Sequence, residues 1–570
     1  MSRLLIFLLL TLAAFSQDNS LKPKLTPPDP NWDRLYPNAQ ILEMMRGYQR
    51  AYPEWVKMES LGKTSAGGET WLLTITNPKT GPADSKPAVY IDGATHANEI
   101  QGTEVCMYTV NFVLKNYGKL PRVTEFLDRG TLYVIPMMNI DSRERWFTQP
   151  ATPNFPRTLP VSIDDDRDGA KDEDGFDDLD GDGEITMMRK KVPLGQGNLK
   201  LHPKDSRLLV PVEPNELGDY IMLGAEGIDN DGDGQVNEDT YGYIDPNRAW
   251  GEGWMPRYVQ SGSSEYPLQY PEQRNIAQWF RSHLNVNAVL SFHNFGRFIL
   301  RGPGAKPQRP MNPADLRVHD FLGKEGEKIL PGYRYGNSWQ LLYDSYGDTT
   351  DHTYGRHGAV SFVVELNDTQ QDYDKDKKVS PEEQMKFNDE LTQGRMFVDW
   401  KSFQHPQFGN IEIGGYKHDT NRPPEGFLNV EECHRNAMFV LFNAHQLPQI
   451  KVQTPEVIRL RNGLYRIHVP VLNERMIPTT AAIVSQHKLH RQDFATITGA
   501  KVIASGIVQD PLLNKVSLQQ HRPERLVVDG GISGFDTTIL MFLVEGRPGA
   551  LTFTYDSVKA GRISAPVTLP

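Results

Sequence analysis

Cysteine is almost missing from this sequence: Cys106 and Cys433 are the only two in 570 residues. Two thiols so far apart cannot supply a disulfide framework. Cys106 falls on an apolar helical pattern, which predicts a buried thiol. An excess of basic charge is also missing. Lys and Arg number 61 against 72 Asp and Glu, for a net charge of −11, which argues against nucleic acid or an anionic membrane as partner. Long apolar runs are absent beyond the first twenty residues, MSRLLIFLLLTLAAFSQDNS, so no transmembrane anchor is expected. In that segment one Arg precedes an apolar run, Leu4 to Phe15, which ends near the small residues Ala14 and Ser16. The run is short for a membrane span and has the layout of a signal peptide, residues 1–16. Export is therefore expected, to a periplasm or the extracellular space.

What is present is enough apolar sequence for more than one domain. NAQILEMMRGYQRAYP has helical spacing, and TWLLTITNP and PAVYIDGATH read as strands. QGTEVCMYTVNFVLKNYG reads as a helix and GTLYVIPMMNI as another strand. The alternation resumes with PEQRNIAQWFRSHL, VNAVLSFHNFG, AVSFVVELND and the helical NVEECHRNAMFVLFNAH. Apolar strands separated by helices predict an α/β domain over residues 32–447, a mixed central sheet with helices on both faces. From about residue 450 to 570 the pattern changes to short alternating stretches broken by Gly, Pro and Asn, which predicts an all-β, sandwich-like domain.

Polar residues collect at the C-terminal ends of the strands: His96, Asn139, His293 and Glu365. That edge of an open α/β sheet is where ligands bind. His96 and Glu99 in THANEI stand three residues apart just as a strand turns into a helix. A catalytic zinc takes three protein ligands of this kind and leaves a fourth position for water. His293 in LSFHNFG offers the third ligand, and Glu365 in SFVVELND a base at another strand end.

These motifs, in this order, resemble the zinc carboxypeptidase family, the relatives of pancreatic carboxypeptidases. HANE matches the family's His-x-x-Glu, LSFHNFG its second His, and SFVVELND its catalytic Glu strand. YIDPNRAW matches its Asp-x-Asn-Arg, and Tyr343 lies at the family's distance before Glu365. The resemblance spans roughly Trp32 to Leu447. It implies Zn2+ on His96, Glu99 and His293, and Glu365 as the general base that activates water and passes the proton to the leaving amine. It also implies Asn247, Arg248 and Tyr343 as holders of the substrate's terminal carboxylate, and Asp245 as the acid orienting the first His. For the arginine that stabilises the oxyanion, the best match is Arg189 in ITMMRKK, with Arg143 and Arg145 as fallbacks. The implied substrates are peptide or protein C-termini.

Two acidic inserts interrupt the pattern, at about 163–183 and 228–239. Asp164, Asp166 and Asp168, then Asp178, Asp180 and Asp182, then Asp229, Asp231 and Asp233 each form Asp-x-Asp-x-Asp followed by Gly. Calcium loops use this pattern, because a hard cation takes many oxygens around a tight bend. The twelfth positions hold Gly175, Arg189 and Thr240 rather than the bidentate Glu of an EF-hand, so the expectation is structural Ca2+ in non-standard loops. Two enzymes of the same chemistry compete with a carboxypeptidase: a cell-wall peptide amidase or peptidase, and an N-acyl amino acid deacylase. A calcium-stabilised binding protein is the non-enzymatic alternative, and it alone would be indifferent to loss of Glu365. In the segment before Glu365, the resemblance implies a floor of the side-chain pocket at Thr350, just before Asp351. Asp348, if it points inward, would favour Lys or Arg.

Overall fold

The computed structural model describes residues 20–162, 164, 169–366, 371–376, 378–420 and 426–570; the expected signal peptide lies outside them. The first domain is organised by an eight-stranded sheet. Its strands are β1 (Val56–Lys63), β2 (Glu69–Ile75), β3 (Ala88–Gly93), β4 (Thr131–Ile135), β5 (Val286–Asn294), β6 (Phe298–Arg301), β7 (Arg334–Asn337) and β8 (Val360–Leu366). Their spatial order is β1-β2-β4-β3-β5-β8-β6-β7. β4, β3, β5 and β8 run parallel in the middle, and antiparallel joins to β2 and β6 flank them. The sheet is mixed, as expected.

The helices that position the site are α1 (Gln101–Asn116), α2 (Pro271–Ser282), α3 (Pro313–Ile329), α4 (Thr349–His357) and α5 (Gly426–His445). Alternate strand residues bury on opposite faces of the sheet. Val89 and Ile91 of β3 join Val105 and Val110 of α1 and Phe439 of α5 in one core. Ala88 and Tyr90 point the other way, against Ile276 and Phe280 of α2. β3 is buried along its whole length, which is why AVYIDG shows almost no polar alternation. Cys106 and Cys433 are both free and buried, as the helical pattern of the first suggested.

A pair of glycines fixes how the β3 end meets α1. A side chain on Gly93 would strike the Gly102 carbonyl, and one on Gly102 would strike the Phe292 carbonyl. Their absence lets α1 begin directly against β3 and β5. The intervening loop, with Ala94 in the left-handed region (φ 52°), is thereby pressed onto the sheet edge.

Outside this sheet the chain builds a second one of six strands, four from the segment between β4 and β5 and two from beyond β8. Its order is Phe397–His405, Gly409–Tyr416, Met187–Lys191, Tyr220–Ala225, Leu199–Leu201 and Leu209–Pro211. The sequence reading found only acidic loops here. MMRKK and LKL are too short and too charged to show a strand period, and the core beneath them is small, centred on Met188, Ile411 and Ile413.

Residues 450–569 form two antiparallel sheets closed over a shared core, consistent with a β sandwich. Leu464–Asn473 shows the reason: its residues alternate between buried and half-buried along the strand. The two domains are joined by specific polar contacts. The Asp315 carboxylate of α3 accepts from the Ala482 and Ile483 amides at 2.7 and 3.0 Å, at the start of helix Ala482–His487. Asn287 of β5 donates to the Lys559 carbonyl at 2.8 Å, and the Lys559 ammonium donates to the Val286 carbonyl. Among the described residues no helix is long and apolar enough to cross a membrane.

Candidate active site

Three side chains from two loci meet at the carboxyl edge of the main sheet. His96 and Glu99 come from the loop between β3 and α1, and His293 from the end of β5. All three are buried. His96 Nδ1 lies 3.0 Å from Glu99 Oε1, His293 Nδ1 lies 2.9 Å from Glu99 Oε2, and the two Nδ1 atoms are 3.1 Å apart.

The proton positions follow from the outer partners. His96 Nε2 faces Asp245 Oδ1 at 3.0 Å, and a carboxylate only accepts, so Nε2 carries the proton. Ser291 Oγ donates to Asp92 and lies 3.2 Å from His293 Nε2, so it accepts the proton on that nitrogen. Both Nδ1 atoms therefore turn lone pairs inward toward a carboxylate. Three lone-pair donors this close repel one another unless a cation lies among them. The edges of a tetrahedral zinc site are about 3.3 Å, from zinc–nitrogen bonds of about 2.0–2.1 Å, close to the spacings present. The donor set and its outer partners fit a divalent zinc-type ion. Burial opposes the charge on Glu99, and positive charge at the facing His96 and His293 nitrogens holds its carboxyl well below the usual range. Burial likewise opposes Asp245, and His96, Arg248 and Arg157 hold it well below.

Glu365 sits on β8 directly beside His293 in the parallel ladder with β5. Register partners in neighbouring strands project from the same face of a sheet, so the Glu365 carboxyl stands on the same face as the cluster. Asn247 and Arg248 are buried. The Asn247 side-chain oxygen accepts from the Thr349 amide and hydroxyl at 3.0 and 2.9 Å, which ties it to the first turn of α4. Arg248 Nη2 donates to the Tyr343 hydroxyl at 3.2 Å, on a tyrosine that is 54% exposed.

Arg189 is a correction. Its Nε donates to Glu412 at 2.8 Å and its guanidinium lies over the Trp400 ring at 4.1 Å, inside the second sheet. None of its partners belongs to the cluster. The fallbacks are engaged elsewhere too: Arg143 is fully buried and bonded to Asn38 and the Tyr36 carbonyl, and Arg145 lies over Tyr241. The arginine present is Arg157, which the sequence reading missed. Its Nη1 donates to Glu99 Oε1 at 2.8 Å, and its Nε and Nη2 donate to Asp245 Oδ2 at 3.3 and 3.2 Å. Nη2 also lies 2.9 Å from His96 Nε2, two N–H groups side by side that both donate to the Asp245 carboxylate rather than to each other. Burial works against its charge, but Asp245 and Glu99 raise its pKa above the usual arginine value. The usable signal was position. Arg157 follows β4 before the first insert, whereas Arg189 lies between inserts that fold separately.

Asp348 does not end in an open pocket. Its Oδ1 accepts from the Asp351 amide and the Thr350 hydroxyl, both at 2.8 Å, and so caps the N-terminus of α4. Thr350 is buried beside it. Among the acidic loops, Asp178 and Asp180 gather with Glu226, and Asp229 with Asp231 and Asp233, each set with ligand atoms within 4.8 Å. Asp182 instead accepts from the Glu184 amide. Asp164 is described, while Asp166 and Asp168 lie outside the described residues. The sequence reading also missed a fourth cluster, Asp372 and Asp374 with Glu383. Here DYDKDKKVSPEE does place Glu at the twelfth position.

A family model described as zinc carboxypeptidase matches residues 41–172 and 226–393, more than half of the chain. The chain belongs to the zinc carboxypeptidase family. The segment skipped by the match, 173–225, contains Arg189 and four strands of the second sheet. A domain of unknown function matches residues 449–568. Bos taurus carboxypeptidase B is 34% identical over 323 residues, covering 55% of this chain and 59% of that protein. Rattus norvegicus carboxypeptidase A1 is 29% identical over 350 residues, covering 60% and 64%. Homo sapiens carboxypeptidase D is 30% identical over 112 residues, covering 20% of this chain and 8% of that protein. The chain thus spans less than two thirds of the length of each of these relatives. Among solved structures, carboxypeptidase A from Helicoverpa armigera aligns with a TM-score of 0.46 at 14% identity, covering 74% of this chain and 76% of that one.

Proposed function

We propose that this zinc carboxypeptidase family member is an exported metallocarboxypeptidase that hydrolyses the C-terminal peptide bond of peptides or proteins. One observation carries the reading: two imidazole Nδ1 atoms and a carboxylate, 2.9–3.1 Å apart, with Glu365 in ladder register beside His293. His96, Glu99 and His293 would hold the zinc. When bound, zinc supplies Lewis acidity, polarising a carbonyl and easing deprotonation of water.

The chain's own residues do the rest. Glu365 accepts the proton of the attacking water and delivers it to the leaving amine. Arg157 fixes positive charge beside the cluster, where the substrate carbonyl oxygen gains negative charge. Asp245 keeps His96 in the tautomer that turns Nδ1 inward. The planar fork of Arg248, with Asn247 and the Tyr343 hydroxyl, binds the substrate's free carboxylate and so selects the chain end. Two finer points belong to the same reading. Calcium in the loops around Asp178 and Asp229 is supported by their carboxylate clusters, and export by the apolar run from Leu4 to Phe15.

The test is a panel of peptides with varied C-terminal residues, digested with and without a zinc chelator and read by mass spectrometry. Stepwise release of single C-terminal residues, abolished by chelation and by amidation of the peptide, is expected. Internal cleavage, or release only from N-acylated single amino acids, would overturn the reading.

A further inference from the structure

At the junction of the two domains, away from the metal cluster, lies a cavity of about 710 Å3. α2, α4 and the segment after helix Ala482–His487 line it. Its lining differs from the rest of an acidic protein: it contains four arginines and three histidines and no Asp or Glu. His352 and His357, both on α4, are each only 5% exposed. The Nδ1 atoms of both are buried with no hydrogen-bond partner, and so is Nε2 of His490 across the junction. Buried polar groups are nearly always paired, so three unpaired imidazole nitrogens around one cavity call for a ligand.

The arginines ring the opening. Arg356 pairs with Glu252 at 2.7 Å and Arg491 pairs with Asp556, while Arg274 donates to the Gln269 carbonyl at 2.6 Å. Arg281 has no ion pair among the described residues. Burial lowers the pKa of His352 to about 3, with Arg356 and Arg281 adding to the effect. Burial lowers that of His490 to about 4, with Lys559 and Arg491 adding. Of the four lining arginines, Arg274 and Arg281 are thus left without a carboxylate partner among the described residues.

We propose that this junction cavity is a binding site for a small, multiply charged oxyanion, a molecule carrying phosphate or carboxylate groups. Guanidinium forks at the opening match such groups bidentately, and the Nδ1 atoms of His352 and His357 can supply N–H donors below, whereas His490, whose Nδ1 donates to the Arg491 carbonyl, offers a lone pair on Nε2. The volume lies in the range of small-molecule sites rather than of a single ion. The occupant would touch both domains and so add to their cohesion.

The test uses the full-length protein with two weakly chelating probes, inorganic phosphate and succinate, each titrated at fixed ionic strength with chloride as the balance. Calorimetry and thermal unfolding are the readouts. Saturable binding of at least one probe, with a matching rise in Tm, is expected. Arg281→Glu, an exposed change that leaves the fold intact, should weaken it at least tenfold. Arg522→Glu, in a neighbouring groove on the C-terminal domain that shares only Arg491 with the cavity, should not change it. Phosphate alone would assign a phosphorylated ligand, and succinate alone a polycarboxylate. No saturable binding of either probe, or equal affinity in Arg281→Glu, would overturn the proposal.

Discussion

The cluster at the sheet edge and the acidic loops of the inserts both gather groups able to hold a metal, yet they are built in opposite ways. The first combines two nitrogens with one carboxylate, is fully buried, and joins residues nearly 200 positions apart, such as His96 and His293. The second uses carboxylates alone, ranges from half-buried to exposed apart from the buried Glu226, and is drawn mostly from one short run, such as Asp229 to Asp233. Mixed donors in a dry site suit a borderline-soft ion such as zinc, whose open position can do chemistry. Oxygen-only donors in wet loops suit a hard ion that merely ties the chain together. The difference teaches that the same sort of side chain is assigned a role by burial and by partners.

Breaking the first cluster should have the largest effect. Glu365→Gln keeps the shape and removes the proposed base, and turnover should fall on the order of 10²- to 10⁴-fold with zinc content unchanged. A binding protein would show no change in ligand affinity. Arg157→Ala should lower kcat by about 10²- to 10³-fold, the scale of losing one oxyanion donor. Arg189→Ala should leave kcat near the parent value, and the reverse ranking would restore the arginine read from the sequence. Arg248→Ala should act mainly through KM, by roughly 10-fold or more, and peptides with amidated ends should lose their disadvantage.

The smallest effect should come from the loops. Asp231→Asn should lower Tm by a few degrees in calcium and leave kcat untouched. A zinc-selective chelator should abolish turnover, which Asp231→Asn leaves intact, so activity separates the two sites.

The meeting of His96, Glu99 and His293, and the place of Glu365 beside them, were legible because few residue types suit such a cluster and the fold places them at strand ends. His96, His293 and Glu365 each follow an apolar run that can be read without a structure. The C-terminal sandwich was legible for a similar reason, since Leu464–Asn473 alternates along its whole length. Arg157 was not legible. An arginine in PNFPRT has no period and no motif, and its contacts with Glu99 and Asp245 are tertiary. Arg189 was misread because the inserts were taken as loops beside the cleft, whereas its strand pairs with Gly409–Tyr416 in another sheet. The cap made by Asp348 was equally invisible: only the backbone of α4 shows that its carboxylate is engaged.

The most direct test is zinc content per chain, measured by elemental analysis on purified protein after zinc loading and desalting. One zinc is predicted for the parent and for Glu365→Gln, and none above background for His293→Ala. Zinc retained by His293→Ala, or absent from the parent, would contradict the convergence of His96, Glu99 and His293 on a single ion.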